Sequence, residues 1–365
     1  MSDLTQYRFS FGPWNISEGA DPFGPEVRSP YTLEEKLGWY RPLGFEGVQF
    51  HDDDVVEGLD GLEHLQIIKR AREVGQALRD HGLVAEFVAP RLWFDPRTID
   101  GGYTSNSPAE RQYALDRSVK AIDIAREIET PNIVLWLARE GSYVRESKNA
   151  KTAYARILDA VNLLLEYDDS IQVWIEPKPN EPMDHAYVPT IGHAIALAYQ
   201  SADPSRVSGL IETAHAVLAG LDPSDEMAFA LAHDKLASVH LNDQNGLKFD
   251  QDKSFGAANL RSAYNQVRVL EQNGFGRRGE FIGLDVKLMR TQKQDGSMAH
   301  LANSREFFLH LLDKVRTTDT ALQDQLIADR NYEELEAYTL RHLLGVSARV
   351  FEGAAPQQLQ SAAKV

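Results

Sequence analysis

Ile171-Gln172-Val173-Trp174-Ile175-Glu176-Pro177-Lys178-Pro179-Asn180-Glu181-Pro182 begins apolar, stops at a carboxylate and then becomes proline-rich. Proline cannot donate to a sheet ladder, so the strand implied by Ile171 to Ile175 ends at Glu176. Glu176 and Lys178 are then polar side chains held at the C-terminal lip of a buried strand. A loop ion pair on a stiff turn is the plainer account, since such pairs are common and weak. The two accounts separate on whether other strands end in the same chemistry.

Outward from this stretch, short apolar runs alternate with longer helical patterns from Arg8 to about residue 317. The candidate strands are Arg8–Trp14, Gly47–His51, Leu83–Ala89, Asn132–Leu137, Gln172–Glu176, Val207–Glu212, Leu236–Leu241 and Phe281–Asp285, eight in all. Between them, Thr32-Leu33-Glu34-Glu35 and Ser107-Pro108-Ala109-Glu110 fit a capping box. Pro108 and Pro223 fall at first helical positions, where a missing N–H costs nothing. Helical spacing follows, as in Ala299, Leu301, Phe307, Leu309 and Leu312. Eight strands alternating with helices predict an α/β fold, a (β/α)8 TIM barrel over residues 1–317. A doubly wound open sheet is the alternative, without a Gly-x-Gly-x-x-Gly after the first strand to favour it. Ser17–Pro30 is a long loop carrying Asp21-Pro22-Phe23-Gly24-Pro25. Residues 318–365 form a C-terminal arm, helical from Leu326 to Leu344, expected to pack on a partner subunit or on its own flank. Its last ten residues or so are expected to be loosely held.

Composition narrows the chemistry. The 365 residues carry 54 Asp and Glu against 38 Lys and Arg, a formal charge of −16. Nucleic acid needs clustered cations, so it is not an expected partner. Gathered carboxylates would instead attract divalent cations. With no cysteine, thiolate zinc sites and a cysteine nucleophile are excluded. The segment Met1–Tyr7 lacks a basic region followed by an apolar one, and no stretch reaches membrane-spanning length. A soluble cytoplasmic protein is the expectation, with no membrane partner.

In such a barrel all C-terminal strand ends open on one face, where polar residues read as catalytic. Those ends carry His51 with Asp52, Asp53 and Asp54, Trp136 with Arg139 and Glu140, Glu176 and Lys178, Glu212 and His215, His240 and Asn242, Asp250 and Asp252, and Asp285 with Lys287. Singly, each has a plain structural reading: a histidine satisfied by hydrogen bonds, a solvated turn, a core tryptophan. Together, like charges this close would raise one another's pKa unless a cation neutralised them. The array therefore predicts bound metal. Its donors are oxygens and imidazoles, which suits Mg²⁺, Mn²⁺ or Co²⁺. Their separation along the chain suggests two divalent cations sharing one carboxylate.

At this point the chain resembles the xylose isomerases. Phe50-His51-Asp52-Asp53-Asp54 looks like the His-Asp-Asp-Asp signature of that family. Trp14, the Asp21–Gly24 loop, Trp136 with Arg139-Glu140-Gly141, Glu176–Pro182, Gln244-Asn245-Gly246, Lys248–Asp252, and Asp285 with Lys287 fall in the family's order. The resemblance implies an aldose–ketose isomerase with two divalent cations, acting by a metal-assisted 1,2-hydride shift on a xylose-like sugar or a variant. One cation would be held by Glu176, Glu212, Asp285 and His240, the other by Glu212, His215, Asp250 and Asp252. His51, oriented by Asp54, would assist ring opening, and Lys178 would polarise the oxygen at C1. Asp252 would take the proton released when the C2 hydroxyl is deprotonated. Trp14, Trp93, Trp136 and Lys287 would line the pocket, with Phe23 entering from a neighbouring subunit of a homodimer or homotetramer.

The departures from the family fall on the sugar pocket and one metal site. His240 stands where the family has an aspartate, Trp93 where it has phenylalanine, and Ala89-Pro90-Arg91 where it has polar residues. Ala214-His215-Ala216 replaces Gly-His-Glu, Leu137-Ala138 replaces Gly-Gly, and the C-terminal arm is shorter. Two alternatives accompany the isomerase: an epimerase or lyase of the xylose-isomerase-like group acting on a modified or glycosylated sugar, and a sugar- or metal-binding barrel without turnover.

Overall fold

Each candidate strand finds its sequence neighbours, and the last returns to the first. In the computed structural model, which describes residues 7–346 apart from 294, 295 and 297, the barrel strands are β1 (Arg8–Phe11), β2 (Gly47–His51), β3 (Val84–Ala89), β4 (Asn132–Trp136), β5 (Gln172–Glu176), β6 (Val207–Glu212), β7 (Leu236–Leu241) and β8 (Phe281–Leu284). All pair in parallel, in chain order, and β8 closes on β1 through Arg8–Phe281 to Phe11–Leu284. Parallel neighbours need a crossover, and the chain supplies a helix each time. These are α1 (Leu33–Leu43), α3 (His64–Asp80), α4 (Pro108–Glu127), α5 (Ala150–Tyr167), α6 (Ile191–Gln200), α8 (Pro223–Ala232) and α9 (Leu260–Gln272), with α10 (Ala299–Arg316) following the last strand. Short helices α2 (Asp52–Val55) and α7 (Thr213–Leu218) start directly at the ends of β2 and β6.

The predicted boundaries hold to within a residue or two except in β1. There the strand stops at Phe11, because Gly12 and Pro13 lead into a 3₁₀ turn over Pro13–Asn15 that carries Trp14 out of the ladder. The Thr32 capping box forms with both of its bonds. The Ser107 box forms by half: Ser107 caps the Glu110 N–H, while the Glu110 carboxylate takes the Ser105 hydroxyl instead. The helix expected over Leu326–Leu344 is two, α11 (Thr320–Ala328) and α12 (Tyr332–Leu344), each opened by its own Asx cap at Asp319 and Asn331. The described part of this arm folds back on the barrel, with Arg261 paired to Glu336 at 2.7 Å and His342 bonded to the Lys314 carbonyl. The final residues expected to be loosely held lie outside the described ones.

Inside the barrel the packing is polar at one level and aromatic at the next. In β3, Ala85 pairs with Val48 and Phe87 with Gln49, so Glu86 is an extra residue against β2. Its buried carboxylate collects Ser10 from β1, Gln49 from β2 and Ser238 from β7, a network that ties four strands together. Phe87, Ala89, Val134 and Leu210 pack with Trp14 and Trp174 in a small apolar cluster. Phe87, Ala89, Val134 and Trp14 also line the cavity at the barrel mouth and give part of its surface an apolar character.

Candidate metal centre and active site

The seven predicted ligands converge. Glu176 ends β5, Glu212 ends β6, His240 lies one residue from the end of β7, and Asp285 follows β8. His215 comes from the first turn of α7, and Asp250 and Asp252 from the loop between β7 and α9. His215 Nε2 is 3.3 Å from Glu212 Oε2 and 3.1 Å from Asp250 Oδ2, and its Nδ1 is 3.6 Å from Glu176 Oε1. His240 Nδ1 lies 3.4 Å from Glu176 Oε1 and 3.9 Å from Glu212 Oε2. Three triads have donor atoms within 4.8 Å of one another: Glu176 with Glu212 and His215, Glu212 with His240 and Asp285, and Glu212 with Asp250 and Asp252. Glu212 belongs to all three.

The donors fit a divalent cation on two counts. They are carboxylate oxygens and imidazole nitrogens with no thiolate. In addition, His215 Nδ1, both ring nitrogens of His240 and Asp250 Oδ1 are buried without a hydrogen-bond partner. Buried polar atoms are almost always paired, so four such atoms among carboxylates mark a place built for a bound ion.

The protonation pattern agrees. Burial pushes the Glu212 carboxyl well up, and Asp250 and Asp285 add to it against His215. Asp252 is likewise raised, by burial first and then by Asp250 and Asp285. Burial also raises Glu176, but the imidazoles of His240 and His215 outweigh it and bring its pKa to about 2. Burial opposes charge on His240, and Glu176 and Glu212 overcome it, raising the imidazole well above its ordinary range. Protons thus sit where cation charge would compensate, and metal binding would release them.

Polar residues that the strand-end inventory left out of the ligand set hold the donors in place. Asn242 donates to Glu212 Oε1 at 2.9 Å while its own carbonyl caps the Ala214 N–H at the start of α7. Asn15 Nδ2 and Trp14 Nε1 each donate to Asp285 Oδ1 at 2.9 Å. Glu181 accepts the Asp250 N–H at 3.0 Å. Asp252 itself sits at φ +47°, a left-handed backbone uncommon for a residue other than glycine, and its carbonyl accepts the Lys287 N–H at 2.8 Å.

Beside the donors stand the remaining predicted residues. Lys178 Nζ is buried, 2.9 Å from Asp250 Oδ2, 3.3 Å from Glu181 Oε2 and 5.1 Å from the Trp136 ring centroid. Burial works against its charge, but Asp250, Glu212 and Glu181 hold its pKa well above the usual lysine value. His51 Nδ1 meets Asp54 Oδ2 at 2.9 Å, and its ring lies between Trp14 and Trp93, at centroid distances of 4.2 and 5.1 Å. Trp136 in turn meets Trp93 edge to face. These rings, with Lys287 and Arg91, line a cavity of about 930 Å³ that opens onto the metal-ligand array. Pro22 lines it too, whereas Phe23 is 92 % exposed at the tip of the turn closed by Asp21 and Gly24.

A parallel barrel with a carboxylate–imidazole centre at its C-terminal mouth defines the class of protein. The chain belongs to the xylose isomerase-like TIM barrel family, whose model matches residues 37–277. It is similar in fold to D-psicose 3-epimerase from Clostridium cellulolyticum H10, solved with D-tagatose, at 11 % identity and a TM-score of 0.61 over 84 % of this chain and 99 % of that one. A 3-keto-D-glucoside 4-epimerase from E. coli matches at 13 % identity and a TM-score of 0.58, over 78 % and 96 % of the two chains. A xylose isomerase domain protein from Alicyclobacillus acidocaldarius matches at 13 % identity and a TM-score of 0.58, over 85 % and 99 %. Among the described residues no helix is long and apolar enough to cross a membrane.

Proposed function

We propose that this protein is a divalent-metal-dependent sugar isomerase that interconverts an aldose and a ketose by a 1,2-hydride shift. The observation that carries the reading is the position of Glu212, common to three donor triads, with the Lys178 ammonium 2.9 Å from Asp250 on their border. Glu176, Glu212, His240 and Asp285 would hold one cation, and Glu212, His215, Asp250 and Asp252 the other. When bound, two such ions supply positive charge to adjacent sugar oxygens as negative charge develops there.

The chain's own groups do the rest. Asp54 engages His51 Nδ1, which leaves Nε2 as the ring nitrogen that faces a sugar hydroxyl during ring opening. Lys178, buried and charged, donates to the oxygen at C1 and stabilises its charge in the transition state. Asp252, which lines the cavity with Lys287 3.5 Å away, takes the proton that leaves the C2 hydroxyl. Trp14, Trp93 and Trp136 exclude water and hold C1 and C2 in line, which a hydride shift requires. The exposed Phe23, and Leu340 and Leu344 on α12, support a homo-oligomer in which the loop and the arm meet a partner subunit.

The test is to strip the purified protein with EDTA, restore Mg²⁺, Mn²⁺ or Co²⁺ in turn, and follow a panel of aldoses by NMR. Metal-dependent appearance of the ketose is expected; no interconversion with any of the three metals overturns the reading. An epimerase is the second reading, favoured by the fold likeness to two epimerases of keto sugars. The same reactions in D2O separate the two, because proton abstraction exchanges the carbon-bound hydrogen and a hydride shift retains it.

A further inference from the structure

The acidic group at the end of β2 differs from the three around Glu212. His51, Asp53 and Asp54 also bring donor atoms within 4.8 Å of one another. Here, however, the protein supplies its own cation. Arg91, two residues beyond β3, places Nε 3.0 Å from Asp53 Oδ1 and Nη2 2.9 Å from Asp54 Oδ1. The same Nη2 is 2.5 Å from His51 Nδ1, the nitrogen that meets Asp54 Oδ2. Arg91 is itself anchored, since its backbone N–H donates to Asp52 Oδ1, and the buried Asp52 is held bidentately by Arg117 at 2.7 and 2.8 Å.

This geometry admits two arrangements that exclude each other. Either His51 Nδ1–H donates to Asp54, with Arg91 bonded to the other oxygen of the same carboxylate, or the bare Nδ1 accepts from Arg91 and the proton moves to Nε2. The second would point the Nδ1 lone pair at an anionic oxygen 2.9 Å away; the first requires Nη2, itself a donor 2.5 Å from Nδ1, to draw back onto the Asp54 oxygen that it already meets at 2.9 Å. Asp54 is anionic: burial raises its carboxyl, but His51 and Arg91 outweigh that and bring it to about 2.

We infer that Arg91 is a positioning residue for His51, pinning the Asp54 carboxylate so that the imidazole keeps its proton on Nδ1 and presents Nε2 to the sugar as a proton acceptor. In ring opening the anomeric O–H proton passes to Nε2, the C1–O5 electron pair withdraws onto the ring oxygen, and that oxygen takes the proton back. The open-chain aldehyde and neutral His51 remain, so the step balances without another reactant. A cation at this spot also removes any need for a third metal. The inference rests on the isomerase reading for the role of His51, but its structural half does not.

The experiment is ¹⁵N NMR of the Mg²⁺-loaded, full-length protein labelled at histidine, with His51 assigned by H51Q. A protonated Nδ1 and a pyridine-type Nε2 are expected in the wild type, and a mixture of tautomers in R91Q. Kinetically, R91Q should lower kcat about 10- to 100-fold with little change in KM, and R91K should recover part of the loss. A wild-type Nε2–H tautomer, or an R91Q variant with the same spectrum and kcat as wild type, overturns the proposal. Should R91Q fail to fold, R91K is read in its place: a single ammonium cannot span Asp53 and Asp54 as the guanidinium does, so a partial mixture of tautomers is expected, and a spectrum and kcat identical to wild type overturn the proposal. If no aldose is turned over by the wild type, the isomerase reading falls, while the tautomer still decides what Arg91 does.

Discussion

His240 stands where the resemblance to the xylose isomerases leads one to expect an aspartate. Its imidazole occupies the corner between Glu176, Glu212 and Asp285 and replaces a negative oxygen with a neutral or charged nitrogen. Nitrogen donors favour later transition metals over Mg²⁺. His240→Asp should therefore move the ranking of activating metals towards Mg²⁺, read as turnover with each ion restored to stripped enzyme; an unaltered ranking means residue 240 is not a ligand. Glu176, Glu212, His240 and Asp285 were legible as candidate ligands because each stands at or next to a strand end, while His215, Asp250 and Asp252 lie in the helix and loop that follow. Asn15 and Glu181 gave no such signal, and Asn242 stood among the strand-end residues without a role, because their work is to orient other side chains and shows only when distant segments meet. Arg91 had a signal that went unread: Ala89-Pro90-Arg91 repeats the strand end, proline and cation of Glu176-Pro177-Lys178.

Among elements, strands were easier to place than their exits. Apolar runs such as Gln172–Glu176 and Val207–Glu212 have the bounds read from sequence because a carboxylate marks where each leaves the core. β1 and the arm misled because Pro13 and the break at Asp329–Asn331 interrupt patterns that hydrophobicity alone continues. Strand packing around the site leaves no room at Gly283 in β8. A Cβ there would lie 2.4 Å from the Val239 carbonyl and 2.5 Å from Gln49 Nε2. Gly283→Ala should cost about 1–3 kcal/mol, as overpacked cores do. Gly38 in α1 has nothing within 4 Å of the same atom, and Gly38→Ala should gain about 0.5–1 kcal/mol from helix propensity. Urea midpoints of the two variants, moving in opposite directions, check both.

At the scale of the molecule, the barrel was legible as eight repeats, but the way its first loop is locked to its last helix was not. His300, near the start of α10, reaches across to Asn15, with Nε2 2.9 Å from its carbonyl. Asn15 in turn holds Asp285, so this contact connects the outer layer to the metal-ligand array. The other ring nitrogen of His300 is buried without a partner, so a second proton would enter an apolar setting. Burial first, with Arg28 in support, lowers its pKa from 6.5 to about 4 against the opposing bond to Asn15. The sign follows: the folded protein keeps this imidazole neutral while the unfolded chain protonates it. The contribution is full above pH 6.5 and is lost as pH falls towards 4, amounting to about 3 kcal/mol over that window. His300→Gln has no such proton to take up. Unfolding free energies in urea at about pH 7 and about pH 4.5 should then fall further for the wild type than for H300Q, by roughly 2–3 kcal/mol. Parallel losses in the two proteins would remove His300 from the account of acid instability, leaving it to the carboxylates.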